Sequence, residues 1–139
     1  MKRIVPLTMI LILMSLSIAG CASSGGQPDV EAAYVTGTVN KRDRKALAPS
    51  ATIEVRLVDS ATPDEAISMQ DIRLGGKQLP IPFDLQYDPG QINPDSTYEV
   101  QVRIVDSDGN TIYQPVETYN VITQDNPTSN IEVFVEVVE

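Results

Sequence analysis

Three stretches of this chain alternate apolar and polar residues with a period of two. In Ala51–Asp59, Ile53, Val55 and Leu57 alternate with Thr52, Glu54 and Arg56. In Thr97–Val105, Tyr98, Val100, Val102 and Ile104 alternate with Glu99, Gln101 and Arg103. In Asn130–Val138, Ile131, Val133, Val135 and Val137 fall on one face, and Glu132, Phe134, Glu136 and Val138 on the other. Successive side chains of a strand point to opposite faces, so such runs are half-buried strands with one face on a core. Val, Ile, Thr and Tyr fill them, as pleated, half-buried surfaces favour. Weaker runs of the same kind are Tyr34–Asn40, Ile67–Leu74, Leu79–Tyr87 and Thr111–Thr123. Turn clusters separate them: Ala48-Pro49-Ser50, Gly75-Gly76, Asp88-Pro89-Gly90, Asp108-Gly109-Asn110 and Asn126-Pro127. No segment beyond the first twenty residues has helical spacing.

The expected fold is therefore all-β: a single-domain antiparallel two-sheet β-sandwich, immunoglobulin-like or Greek-key, of about seven to eight strands. A barrel is the competing architecture. Pro80, Pro82 and Pro115 lie inside strand-like runs, and proline is confined to edges and bulges. A sandwich has edges to hold them and a closed barrel has none, which favours the sandwich. Gly37, inside a strand, points to a bulge or a close backbone approach.

The first twenty residues belong to something else. Lys2 and Arg3 precede an apolar run from Ile4 to Ile18, and Ala19 and Gly20 lead into Cys21. A basic start, an apolar stretch and small residues make a secretory signal peptide, and the run is short for a membrane span of roughly 20 residues. Ile18-Ala19-Gly20-Cys21 resembles a bacterial lipobox, and Cys21 is the single cysteine of the chain. The resemblance implies cleavage before Cys21 and acylation of its sulfur and its new amino group, palmitate included. Two or more acyl chains give a stable anchor where one is marginal. Ala22, where inner-membrane lipoproteins carry Asp, implies by the same resemblance the outer membrane of a Gram-negative bacterium, with the domain in the periplasm. The expected organisation is a signal peptide over 1–20, a lipidated Cys and flexible tether over 21–33, and a β domain over 34–139. The tether ASSGGQPDVEAA is rich in small and polar residues. Its twelve residues span about 17–21 Å as a random coil.

Charge and composition exclude several functions. The 139 residues carry ten Lys+Arg and nineteen Asp+Glu, a formal net charge of −9. Removal of Lys2 and Arg3 with the signal leaves −11. Such a surface does not suit nucleic acid, whose phosphates call for clustered Lys and Arg. There is no His, the usual metal ligand and neutral-pH base, and no Trp. No catalytic residue, metal site or cofactor is expected. Asp84 and Asp88 could share a face as paired carboxylates, but surface alternation accounts for them equally well. Asp106-Ser107-Asp108-Gly109-Asn110 spaces oxygens like a calcium loop, yet it lacks the later Glu and the flanking helices, and reads as a hairpin turn. Lys41-Arg42-Asp43-Arg44-Lys45 is the one basic run. It reads as a solvated loop, or as a contact for phosphate or an acidic segment.

What remains is contact with a partner. Phe134, between Glu132 and Glu136 on the outward face of the last strand, is either covered by the tether or a loop or is a candidate anchor, with Val138 beside it. The Pro80-Ile81-Pro82-Phe83 run describes an edge strand, with Ile81 and Phe83 as further candidate contacts. Small-ligand binding and a purely structural envelope role are the alternatives.

These residues resemble a known family. Gly37-Thr38-Val39, Arg42, Arg44, Leu47-Ala48-Pro49, the run from Ala51 to Asp59, then QLPIPFDLQYD over 78–88, Ile92-Asn93-Pro94, Tyr98 and Val102-Arg103-Ile104 follow in the order seen in YbaY-family lipoproteins. The same domain is named after the YscW-type lipoprotein chaperones, or pilotins, of type III secretion. The resemblance covers nearly the whole mature domain. It implies a non-enzymatic, chaperone-like and monomeric envelope lipoprotein, tied to the membrane through Cys21, with a secretin as a possible partner.

Overall fold

The computed structural model describes residues 31–139. Eight strands account for most of them: β1 (Ala33–Lys41), β2 (Thr52–Asp59), β3 (Ala66–Arg73), β4 (Ile81–Tyr87), β5 (Tyr98–Val105), β6 (Thr111–Pro115), β7 (Tyr119–Val121) and β8 (Ile131–Val137). The all-β expectation holds, and the three strongly alternating runs become β2, β5 and β8 with the expected faces inward. Ile53, Val55, Leu57, Val100, Val102, Ile104, Ile131, Val133 and Val135 are all buried. Val137 shares their parity but lies at the rim, 56% exposed.

The two-sheet sandwich does not hold. The strands form one sheet in the order β3-β2-β5-β6-β8-β1-β4, with β7 added to β5. It curls until its two ends meet. Across that meeting, Gln70 Nε2 donates to Asp84 Oδ1 at 3.1 Å and the Asp84 N–H donates to Gln70 Oε1 at 3.0 Å. No backbone ladder joins β3 to β4. The molecule is thus a barrel left one ladder short of closure. Nor is it wholly antiparallel, because β1 runs parallel to β8, with Gly37 opposite Ile131 and Lys41 opposite Val135.

The prolines explain the misreading. Pro82 does lie on an edge strand, paired with Thr38 of β1 on one side only. Backbone N–H groups alternate in direction along a strand. The Asp84 N–H faces the seam, so the donor that Pro82 lacks would also have faced the seam. An edge is required, as argued, but an unclosed barrel supplies it as well as a sandwich does.

Local irregularities curl the sheet. The register slips at Leu57/Val58 against β3 and at Ile104/Val105 against β6. Bulges bend a strand and increase its twist. They also turn Val58 and Val105 into the buried set, against strict alternation. Gly37 is a close approach, as expected. A Cβ there would lie 2.1 Å from the Ile131 carbonyl oxygen and 2.9 Å from the Phe83 ring.

The run expected as one strand over 111–123 is two. β6 pairs with the end of β5 and with β8, whereas β7 pairs with the start of β5. The DSDGN segment is a hairpin turn between β5 and β6. The Asp106 carboxylate accepts from the N–H groups of Asp108 and Asn110, both at 2.9 Å, and Gly109 takes the left-handed region at φ 83°.

Candidate partner-binding surface

Parallel pairing of β1 and β8 places Asn40 opposite Phe134 and Lys41 opposite Val135. The chain leaving β1 therefore passes over the outward face of β8. The Arg42 guanidinium lies 5.4 Å from the centre of the Phe134 ring. Its Nη1 is 3.5 Å from Glu136 Oε1. A cation over an aromatic face contributes about 0.5–1 kcal/mol where solvent reaches it. Phe134 is consequently half-buried, with one ring face under a cation.

The backbone of Phe134 is also fixed. β8 has strand partners toward β6 only from Val135 to Val137. One residue earlier, the Phe134 N–H donates instead to the Tyr119 hydroxyl oxygen at 2.9 Å. That hydroxyl donates to Glu117 Oε1 at 3.0 Å. Burial, reinforced by the Glu117 carboxylate, pushes the Tyr119 hydroxyl above the ordinary tyrosine pKa, although the Phe134 N–H and Arg42 pull the other way. It remains a neutral donor at physiological pH. Phe134 is thus held at the centre of a patch made by Arg42, Glu132, Glu136 and Tyr119.

The other expected contacts land in different places. Val138 is 37% exposed at the end of β8, where its N–H donates to the Ile112 carbonyl at 3.0 Å. Ile81 and Phe83 need correction. They point into the barrel at 6% and 3% exposure, so neither side chain is open to a partner. The open groups of that edge are Pro82, Asp84 and Gln86. Cys21 and the signal peptide lie outside the described residues.

The basic run does not form a free cationic patch. Lys41 folds back onto the Asp43 carboxylate and the Lys45 carbonyl, with its Nζ 5.7 Å from the centre of the Tyr113 ring. The bond from Lys41 holds the Asp43 carboxyl below its usual value. Arg42 is spent on Phe134 and Glu136, which leaves Arg44 and Lys45 facing solvent. Sequence reasoning held the basic run and Phe134 apart. They lie 92 positions apart, and only the β1–β8 pairing joins them. It also missed Tyr34, 47% exposed on the outward face of β1.

Asp84 and Asp88 have structural employment. Gln70 binds the first, and the second caps a short 3-10 turn (Pro89–Gln91) by accepting from the Gly90 N–H at 2.7 Å. Among the described residues no group of three His, Cys, Asp or Glu could hold a metal ion. No described helix is long and apolar enough to cross a membrane. Side chains fill the barrel interior. The clefts lie outside it, such as one of about 390 Å³ over β2 and β5 lined by Glu54, Arg56, Gln101 and Arg103.

Residues 30–133 match the family described as type III secretion system lipoprotein chaperone (YscW). The chain belongs to the YscW family. A similar curated protein is the uncharacterized lipoprotein YbaY of Escherichia coli strain K12, 30% identical over 89 residues. That match covers 62% of this YscW-family chain and 47% of the relative, so the chain spans about half of that protein's length. A similar solved structure is an alternative pilotin from the type II secretion system of Vibrio cholerae. It has a TM-score of 0.69 and 29% identity, covering 78% of this chain and 98% of that one.

Proposed function

We propose that this YscW-family protein is a non-enzymatic, chaperone-like lipoprotein of the Gram-negative envelope that holds a segment of an envelope protein. A secretin is the partner that a pilotin-like role implies. Acyl chains on Cys21 anchor it to the outer membrane, with the barrel in the periplasm. The contact is centred on Phe134. The observation that carries this reading is the Arg42–Phe134–Glu136 arrangement: an aromatic anchor, half-buried and immobilised, inside a charged rim. Compact interfaces concentrate their energy in such anchors. The family membership supports the chaperone class, and the pilotin likeness supports the choice of partner.

The test has two arms. Cys21→Ser leaves no acyl anchor, so the protein is expected in the soluble periplasmic fraction. Retention in the membrane fraction overturns the lipid-anchor reading. In the acylated protein, crosslinking in intact cells followed by purification is expected to recover an envelope protein. Phe134→Ala should cut that recovery severalfold while costing the fold about 1 kcal/mol, the scale of a half-exposed contact. Unchanged recovery, or unfolding of the variant, removes Phe134 from the interface.

A further inference from the structure

We propose that the seam between β3 and β4 is a strand-insertion slot for an extended, basic peptide segment of another protein. The proposal deepens the chaperone reading above and rests on it.

Both strands at the seam have a side that no strand pairs. Strand edges present rows of N–H and C=O groups and pair readily with added strands. Natural edges are blunted by proline, charge or bulges. Here Pro82 removes one donor, β3 is irregular near Ile67, and Asp71, Arg73 and Asp84 line the edges, which leaves most of the backbone groups of the seam without a strand partner. A single side chain bridges the seam: the Gln70 amide both accepts from the Asp84 N–H and donates to the Asp84 carboxylate. The amide oxygen imitates the acceptor that an added strand would present to the Asp84 N–H, while the amide N–H is turned to a side chain and not to a backbone carbonyl. Gln70 also breaks the pattern of β3. It pairs with inward-facing Val55, where a core residue belongs, yet it is polar and only half-buried.

Two further features suit entry of a strand. At one end the seam opens into a notch of about 380 Å³ lined by Ala32, Ile67, Gln86, Tyr87 and Asp88. The other end stays fixed, because the turn at Gly75 and Gly76 is bound to the preceding loop through the Leu74 N–H on the Ala51 carbonyl and the Gly75 N–H on the Pro49 carbonyl, both at 3.0 Å. On the outer surface Met69 is 63% exposed, an apolar shelf beside the opening. Asp71, Asp84 and Asp88 flank the seam against Arg73, on a chain of net charge −9. The complementary occupant is an extended segment carrying Lys or Arg at alternate positions.

The test uses a fluorescent octapeptide alternating Lys and Val, titrated by anisotropy against the acylated protein in detergent. Saturable binding is expected, with hydrogen-exchange protection gained over 66–73 and 81–87. N-methylation of alternate amides should weaken binding about tenfold, since two or three ladder bonds are lost. A Glu–Val octapeptide should bind more weakly than the Lys–Val one. Gln70→Ala, which removes the imitation, should tighten Lys–Val binding severalfold. The wild-type comparisons stand whatever that variant's stability. No saturable binding, equal binding of the N-methylated or the Glu–Val peptide, or protection confined to β8 overturns the slot. If the slot fails while partner recovery in cells still depends on Phe134, the chaperone reading survives without it.

Discussion

Gly37 shows how much one position can decide. It sits on β1 between Val35 and Val39, both fully buried, so its parity is inward. The space a side chain would occupy is already taken by the Phe83 ring on one neighbour and the Ile131 carbonyl on the other. A backbone oxygen cannot move aside as a flexible side chain can. Gly37→Ala is therefore expected to destabilise by about 3 kcal/mol, at the upper end of overpacking costs. For a domain of this size that is a fall of more than about 10 °C in melting temperature. Thermal unfolding followed by circular dichroism checks it, and a fall under about 3 °C would mean that β1 and β8 separate easily. A glycine in a strand was readable as a close approach. Its neighbours were not, because Ile131 and Phe83 come from strands 94 and 46 positions away.

At the scale of elements, the strands were legible wherever alternation was strict. β2, β5 and β8 each bury one face continuously, and a slip of one residue would expose the whole set. β6 and β7 merged in the sequence because Thr111–Thr123 carries Ile, Thr and Tyr on both sides of Pro115, while the chain changes partner after it. The β5–β6 hairpin was legible for a different reason, since its turn carries its own hydrogen bonds. Asp106 accepts from two backbone N–H groups, and chiefly the Asn110 N–H holds its carboxyl below the ordinary 3.8. A carboxyl with a depressed folded-state pKa stabilises above its unfolded value, and that stabilisation is lost as pH falls through the folded value. Asp106→Ala should thus lower the melting temperature by a few degrees at pH 7. The gap to wild type should narrow once the pH drops below 3.8. Melts of both proteins from pH 7 down to pH 2 test this. A gap that does not change with pH would assign the loss to the turn's backbone geometry and not to the charge.

Over the whole molecule, closure was the least legible property, because no local pattern encodes which strands become neighbours at long range. Alternation gives faces; it does not distinguish a sheet that curls on itself from two that stack. The same blindness hid the Arg42–Phe134 pairing, since the two meet only through the β1–β8 ladder. That ladder also makes β8 the keystone. In the order β3-β2-β5-β6-β8-β1-β4, β8 alone joins the β3-β2-β5-β6 group to the β1–β4 pair by backbone ladders, the seam between β3 and β4 being bridged only by side chains. It brings Ile131, Val133 and Val135 to the core at 6%, 0% and 0% exposure. Burying an aliphatic side chain of this kind contributes about 1.5–3 kcal/mol. Three of them amount to a large share of the roughly 5–15 kcal/mol of a typical domain. Ending the chain at Asn130 removes these residues and leaves the facing sides of β1 and β6 unpaired. The truncated protein is expected to show no cooperative thermal transition, while β2, β3 and β5 retain partners but no closed core to pack on. Calorimetry on the two chains decides the matter. A sharp transition within about 10 °C of the full chain, comparable with the loss of one or two kcal/mol, would mean that β1–β4 packs onto the rest without β8, as a separate sheet would.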